Sequence, residues 1–134
     1  MGFKIVCNFF FFLVTIASCT QTSNHKDINA IQLISVEEMD TLLSLENVQI
    51  IDVRTPKEYE GGHIKGAINI DYRDENFMEM LSKVDKTKPV AVYCKKGGRS
   101  GACSKIMKKE GFKMIYDLDG GITSWVYEGK TLVK

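Results

Sequence analysis

Apolar positions along this chain gather into five short runs, and amphipathic stretches separate one run from the next. Ala30–Ile34, Val48–Val53, Ala67–Ile70, Val90–Tyr93 and Met114–Leu118 are apolar, rich in β-branched or aromatic residues and bounded by turn formers. Each is therefore expected to be a strand. Ser35 followed three residues later by Glu38 forms a capping box that opens a helix to about Leu45. Thr55 caps a second, short helix with Pro56 at its first position, and Gly61-Gly62 ends it. Asn76–Val84 places Phe77, Met80, Leu81 and Val84 on one apolar face. Ser100–Lys109 is predicted to be a helix closing at Gly111, Gly120-Gly121 a turn, and Ile122–Glu128 a last short helix. Strands and helices alternate throughout, which predicts an α/β fold of three layers. Its centre is expected to be a mostly parallel five-stranded sheet with helices on both faces.

The first residues follow a different pattern. Lys4 precedes a run from Ile5 to Ala17 that includes four consecutive phenylalanines, Phe9–Phe12. The run falls short of the ~20 residues a membrane-crossing helix needs, and it ends in Ile16-Ala17-Ser18-Cys19. This resembles the lipobox of bacterial lipoproteins, in which the cysteine is lipidated and becomes the mature N-terminus. The expected organisation is a leader over 1–18, a polar tether over 19–29 that contains a solvated His25, and one domain over 30–134. That places the protein in the cell envelope, anchored through Cys19 and facing the periplasm; a plain leader would instead release it there.

Composition is that of an ordinary globular protein, with 44% hydrophobic and 26% charged residues. A formal net charge of +1 gives no reason to invoke nucleic acid. Cys7 falls in the leader and Cys19 at the lipidation position, leaving Cys94 and Cys103. An oxidising envelope would permit these two to pair. Cys103 is read instead as a small buried residue on the core side of its helix.

The chemistry concentrates in Cys94-Lys95-Lys96-Gly97-Gly98-Arg99-Ser100, directly after the Val90–Tyr93 run. A cysteine thus sits at a strand's carboxyl end, where α/β sheets bind ligands, with a helix N-terminus just beyond it. The glycines let successive N–H groups converge on one centre, and such a nest lowers a thiol pKa. Lys95, Lys96 and Arg99 add positive charge. The pattern suits a thiolate nucleophile that meets an anionic substrate, and it argues against an inert core cysteine.

Four separated stretches, in this order, carry a family resemblance. Asp52-Val53-Arg54 with Glu58-Tyr59, then Gly62-His63-Ile64 with Gly66-Ala67 and Asn69-Ile70, resemble the rhodanese pattern DVR…EY…GHI.GA.NI. The Cys94–Ser100 loop is similar to the rhodanese active-site loop, and Leu118-Asp119-Gly120-Gly121 with Trp125 resembles the closing L.GG…W element. The resemblance implies a single-domain sulfurtransferase working through a persulfide on Cys94. Lys95, Lys96, Gly97, Gly98, Arg99 and Ser100 would then hold a small anionic sulfur donor. The sulfur would pass to a thiol, or to cyanide in the test tube, with no metal or organic cofactor, and the protein would act as a monomer. Asp52 and Arg54 are expected to form a structural ion pair near the site and His63 a hydrogen-bonded structural residue. Glu58 and Tyr59 would fix the short helix, and Trp125 would pack in the core or at its rim. Related phosphatases of the cell-cycle type separate cysteine and arginine by five residues. Here four do so, Lys95 to Gly98, which favours sulfur over phosphate or arsenate chemistry. A non-catalytic binding module is disfavoured because the nucleophile and its loop are intact.

Overall fold

The computed structural model describes residues 1–2 and 30–134. The leader, Cys7, Cys19, His25 and the tether therefore lie outside the described residues. The domain runs β1 (Ile31–Ile34), α1 (Val36–Leu43), β2 (Gln49–Asp52), α2 (Pro56–Glu60), β3 (Ile68–Asn69), α3 (Phe77–Ser82), β4 (Val90–Tyr93), α4 (Gly98–Lys109), β5 (Ile115–Leu118), α5 (Gly121–Tyr127). The five strands form one sheet in the order β1-β5-β4-β2-β3, and every neighbouring pair is parallel.

The predicted capping box at Ser35 forms, and Thr55, expected only as a cap, builds a second one. The Ser35 N–H donates to Glu38 Oε2 at 2.8 Å while the Glu38 N–H donates back to Ser35 Oγ at 3.2 Å. Thr55 and Glu58 repeat the arrangement at the start of α2. Each box satisfies two N–H groups that a helix start leaves unpaired.

β4 lies at the middle of the sheet, and all four of its residues are buried. Because side chains alternate across a strand, Val90 and Val92 enter one core and Ala91 and Tyr93 the other. The first core gathers Phe77 and Leu81 of α3 with Cys103 and Met107 of α4. The second gathers Val36 and Met39 of α1 with Ile122 and Trp125 of α5. Apolar on both sides, β4 is thus covered by helices on both sides, and burying each such valine stabilises the fold by roughly 1.5–3 kcal/mol. Trp125 packs in the second core and its indole N–H donates to the Thr131 carbonyl at 3.1 Å.

Most element ends fall within one or two residues of those predicted, and three of the shifts have a clear local cause. α4 begins at Gly98 rather than Ser100, because Gly97 takes a left-handed conformation (φ 104°) that turns the chain into the helix two residues early. α5 begins at Gly121, so the second glycine of the predicted turn is already helical in position. β3 is two residues long, since the Ala67 carbonyl accepts from the Tyr59 hydroxyl at 2.7 Å instead of a neighbouring strand.

Candidate active site

Cys94 follows the last residue of β4, and its side chain is 1% exposed. The loop curls around the sulfur: the Gly97 N–H donates to Cys94 Sγ at 3.1 Å. Burial alone would push this thiol up. The Gly97 N–H bond, together with the nearby Ser100 N–H and hydroxyl and the Lys96 N–H, outweighs burial and holds it below the ordinary thiol value. The nest predicted from the glycines is therefore built from backbone donors at the α4 N-terminus, where the helix dipole adds to them. Lys95 and Lys96 are exposed at the loop surface.

Arg99 is engaged by a residue of α2. Its guanidinium grips the Glu58 carboxylate in a two-pronged pair, Nη1 to Oε2 at 2.8 Å and Nη2 to Oε1 at 3.0 Å. Chiefly through this contact, against some burial and with help from Thr55, the Glu58 carboxyl is held down at about 2. Glu58 thus caps α2, as expected, and also ties that helix to the Cys94 loop. Nothing in the local sequence at either residue signals the pairing.

The loop is fixed from a second direction by α5. The Ile122 N–H donates to the Cys94 carbonyl at 2.9 Å, and Thr123 gives both its N–H (3.1 Å) and its hydroxyl (2.8 Å) to the Lys95 carbonyl. Gly121 backs directly onto this loop: a Cβ there would lie 2.5 Å from the Cys94 carbonyl oxygen. The Gly-Gly pair of the closing motif signals this close approach, although on sequence alone it reads only as a turn.

Asp52 and Arg54 form a buried ion pair with Arg54 Nη2 2.6 Å from Asp52 Oδ2, and the same nitrogen donates to the Gly62 carbonyl at 2.7 Å. His63 lies outside the loop. Its ring stacks on Tyr59 with 3.7 Å between centroids, and Nδ1 is 3.1 Å from the Tyr59 carbonyl oxygen. Cys94 and Cys103 are both free thiols, and burial, with Asp117 and Cys94 nearby, pushes Cys103 up to about 12. Among the described residues, no cluster of His, Cys, Asp and Glu is arranged to hold a metal ion.

Asp117, on β5 beneath the first turns of α4, escapes sequence reasoning because it looks like one polar position of an ordinary strand. It is 5% exposed, and its Oδ1 has no hydrogen-bond partner. Burial pushes its carboxyl up from 3.8 to about 6, with the Ser100 hydroxyl opposing and Asp119 adding to the rise. The folded state therefore keeps a proton that the unfolded chain releases. This contribution to stability is complete below about pH 4 and is lost as pH rises through about 6. Asp117→Asn is expected to raise unfolding stability at pH 7 by about 1–3 kcal/mol, with a smaller gain at pH 4. Urea unfolding at the two pH values checks this, and a loss of stability at pH 7 would refute it.

Comparison with known proteins agrees with this architecture. Residues 35–128 match the family described as Rhodanese-like domain. The chain is 42% identical over 77 residues to the uncharacterized protein YqhL of Bacillus subtilis, covering 58% of this chain and 60% of that protein. It is 32% identical over 92 residues to the thiosulfate sulfurtransferase GlpE of Shewanella oneidensis, covering 69% of this chain and 89% of that one. Among solved structures, the polysulfide-sulfur transferase homodimer of Wolinella succinogenes superposes with a TM-score of 0.66 at 29% identity, covering 78% of this chain and 79% of that one. With its parallel five-stranded sheet, its cysteine loop and most of its length matched, the chain belongs to the rhodanese-like domain family.

Proposed function

We propose that this protein is a sulfurtransferase that carries a sulfane sulfur on Cys94. The observation that carries the proposal is the loop that curls over Cys94, with the Gly97 N–H donating to Sγ and the thiol held below its ordinary value. In the first half-reaction the Cys94 thiolate attacks the outer sulfur of thiosulfate or a similar donor. A bond forms between Sγ and that sulfur, the donor's sulfur–sulfur bond breaks, and sulfite leaves with the electron pair. The same N–H groups that stabilise the thiolate then hold the anionic persulfide, so the loop needs no rearrangement between the two states. In the second half-reaction a thiol or cyanide attacks the terminal sulfur, and Cys94 is regenerated as a thiolate.

The sequence similarity to a thiosulfate sulfurtransferase supports the choice of donor. The orientation of Arg99 supports sulfur over phosphate chemistry: its guanidinium is engaged by Glu58, so the loop presents mainly backbone donors. Turnover of thiosulfate and cyanide to thiocyanate, measured beside hydrolysis of an aryl phosphate, tests the proposal. Thiocyanate formation without phosphate release is expected, and the reverse would overturn it.

We further propose that Cys19 is lipidated and holds the domain at the envelope side of a bacterial membrane. The leader pattern and the terminal Ile16-Ala17-Ser18-Cys19 support this. Metabolic labelling with an alkyne fatty acid should mark the wild type and not Cys19→Ala; equal labelling of both would refute the assignment.

A further inference from the structure

All five strands run parallel, so the turns that lead into them gather at one end of the sheet, opposite the Cys94 loop. Three of these strand starts are stitched together by backbone hydrogen bonds. The Ile115 N–H donates to the Ala30 carbonyl at 2.7 Å, the Val90 N–H to the Met114 carbonyl at 3.0 Å, and the Lys113 N–H to the Lys86 carbonyl at 3.3 Å. The start of β1, the α3–β4 turn and the α4–β5 turn therefore form one continuous surface.

That surface is basic. Residues 85–88 and 108–114 carry five lysines, Lys86, Lys88, Lys108, Lys109 and Lys113, against two carboxylates, Asp85 and Glu110. The whole chain has a formal net charge of only +1, so this excess is local. Lys86 and Lys88 pair loosely with Glu110 and Asp85, at 3.6 and 3.8 Å. Lys108, Lys109 and Lys113 are exposed and have no ion-pair partner among the described residues. Met114, 36% exposed, lies between Lys113 and the buried Ile115. An apolar side chain beside several lysines suits a layer that is anionic at its surface and apolar beneath.

The anchor reaches the domain at the same place. Eleven residues, Cys19 to Asn29, separate the lipidation position from Ala30. Such a segment spans at most about 40 Å. It limits how far the domain strays from a bilayer, but not which way the domain faces.

We propose that the basic end around Lys108, Lys109, Lys113 and Met114 docks on an anionic phospholipid bilayer. The proposal rests on the reading of Cys19 as the lipidated residue, and it adds the orientation that a tether leaves free. Each lysine close to such a surface strengthens partitioning about fivefold. The lipid already holds the domain nearby, so the patch acts at a high effective concentration. From this end β4 carries the chain about 13 Å to Cys94. The reacting loop is thereby presented to water, on the side away from the headgroups.

The test uses the full protein as expressed, reconstituted on vesicles of neutral phosphatidylcholine or of the same lipid with roughly 30% anionic phosphatidylglycerol. Exposed lysines are acetylated briefly with a water-soluble reagent and quantified by peptide mass spectrometry. Lys108, Lys109 and Lys113 should react about threefold to tenfold more slowly on the anionic vesicles, and about 1 M salt should erase the difference. Lys95 and Lys96, exposed beside Cys94, should react equally on both. Lys109→Glu combined with Lys113→Glu should remove the protection of Lys108 and leave flotation on neutral vesicles and sulfur loading unchanged. Equal labelling of the three lysines on both vesicles overturns the proposal, as does protection of Lys95 and Lys96 in their place. A DNA duplex that protects the three lysines where anionic vesicles do not assigns the face to nucleic acid and also overturns it. Failure to float on neutral vesicles is instead a failure of the anchor reading. In that case the same protein is floated on anionic vesicles. Salt-sensitive flotation that the double variant abolishes supports the basic face, and any other result overturns it.

Discussion

Replacing Gly121 by alanine is expected to destabilise the domain by about 3 kcal/mol or more and to reduce sulfur loading of Cys94 at least about a hundredfold. Gly121 has φ 61°, a conformation that costs an L-residue about 1–2 kcal/mol. The added Cβ would also lie 2.5 Å from the Cys94 carbonyl oxygen, 2.7 Å from the Lys95 carbonyl carbon and 2.8 Å from its oxygen. These are backbone atoms with no flexible end to swing aside, so either α5 or the loop must move. Movement stretches the hydrogen bonds from Ile122 and Thr123 that hold the loop, each contributing about 1 kcal/mol. Displacing a reacting group by about 1 Å costs on the order of a hundredfold in rate. Thermal unfolding and the rate of adduct formation measure the two effects. A Gly121→Ala protein with unchanged melting and unchanged loading would show that α5 does not support the loop.

The second large effect is expected from the buried pair beneath the site. Asp52 is fully buried and Arg54 is 6% exposed. Asp52 Oδ1 accepts from the Arg54 N–H at 2.9 Å, both carboxylate oxygens accept from Nε at 3.0 Å, and Oδ2 also accepts from Nη2. The guanidinium lies 5.8 Å from the centre of the Tyr93 ring, and Asp52 pairs in register with Tyr93, the residue before Cys94. Asp52→Asn leaves the guanidinium buried without its counter-charge, which costs about 3–5 kcal/mol. A domain of this size should then melt on the order of 15 °C lower. Because the strain falls next to Tyr93, adduct formation on Cys94 should slow as well. Asp52→Asn combined with Arg54→Met removes both charges and should recover much of the loss. A single variant as stable as wild type would mean that the pair contributes little to the fold.

The parts legible in the sequence are those governed by near neighbours. Both capping boxes, the apolar runs and the glycine loop after Cys94 depend on residues a few positions apart, and their chemistry survives folding unchanged. Arg99 and Glu58 are 41 positions apart, and neither segment hints at the other. From sequence, Arg99 reads as a cation for the substrate; the fold adds its pairing with Glu58, which ties the loop to α2. Asp117 illustrates the opposite difficulty. Its strand is correctly predicted, but only the packing of α4 over it turns an ordinary aspartate into a buried carboxylate raised to about 6. The two glycines of the closing motif read as a turn because their positive φ is local, whereas the close approach that requires it involves a loop almost thirty residues earlier.

The most direct test is the mass of the intact protein after incubation with thiosulfate and removal of excess donor. Wild type should gain the mass of one sulfur atom, located to the Cys94 peptide and released by cyanide, while Cys94→Ser should gain nothing. A wild type that acquires no sulfur, or a Cys94→Ser variant that still does, would contradict the assignment of Cys94 as the sulfur carrier.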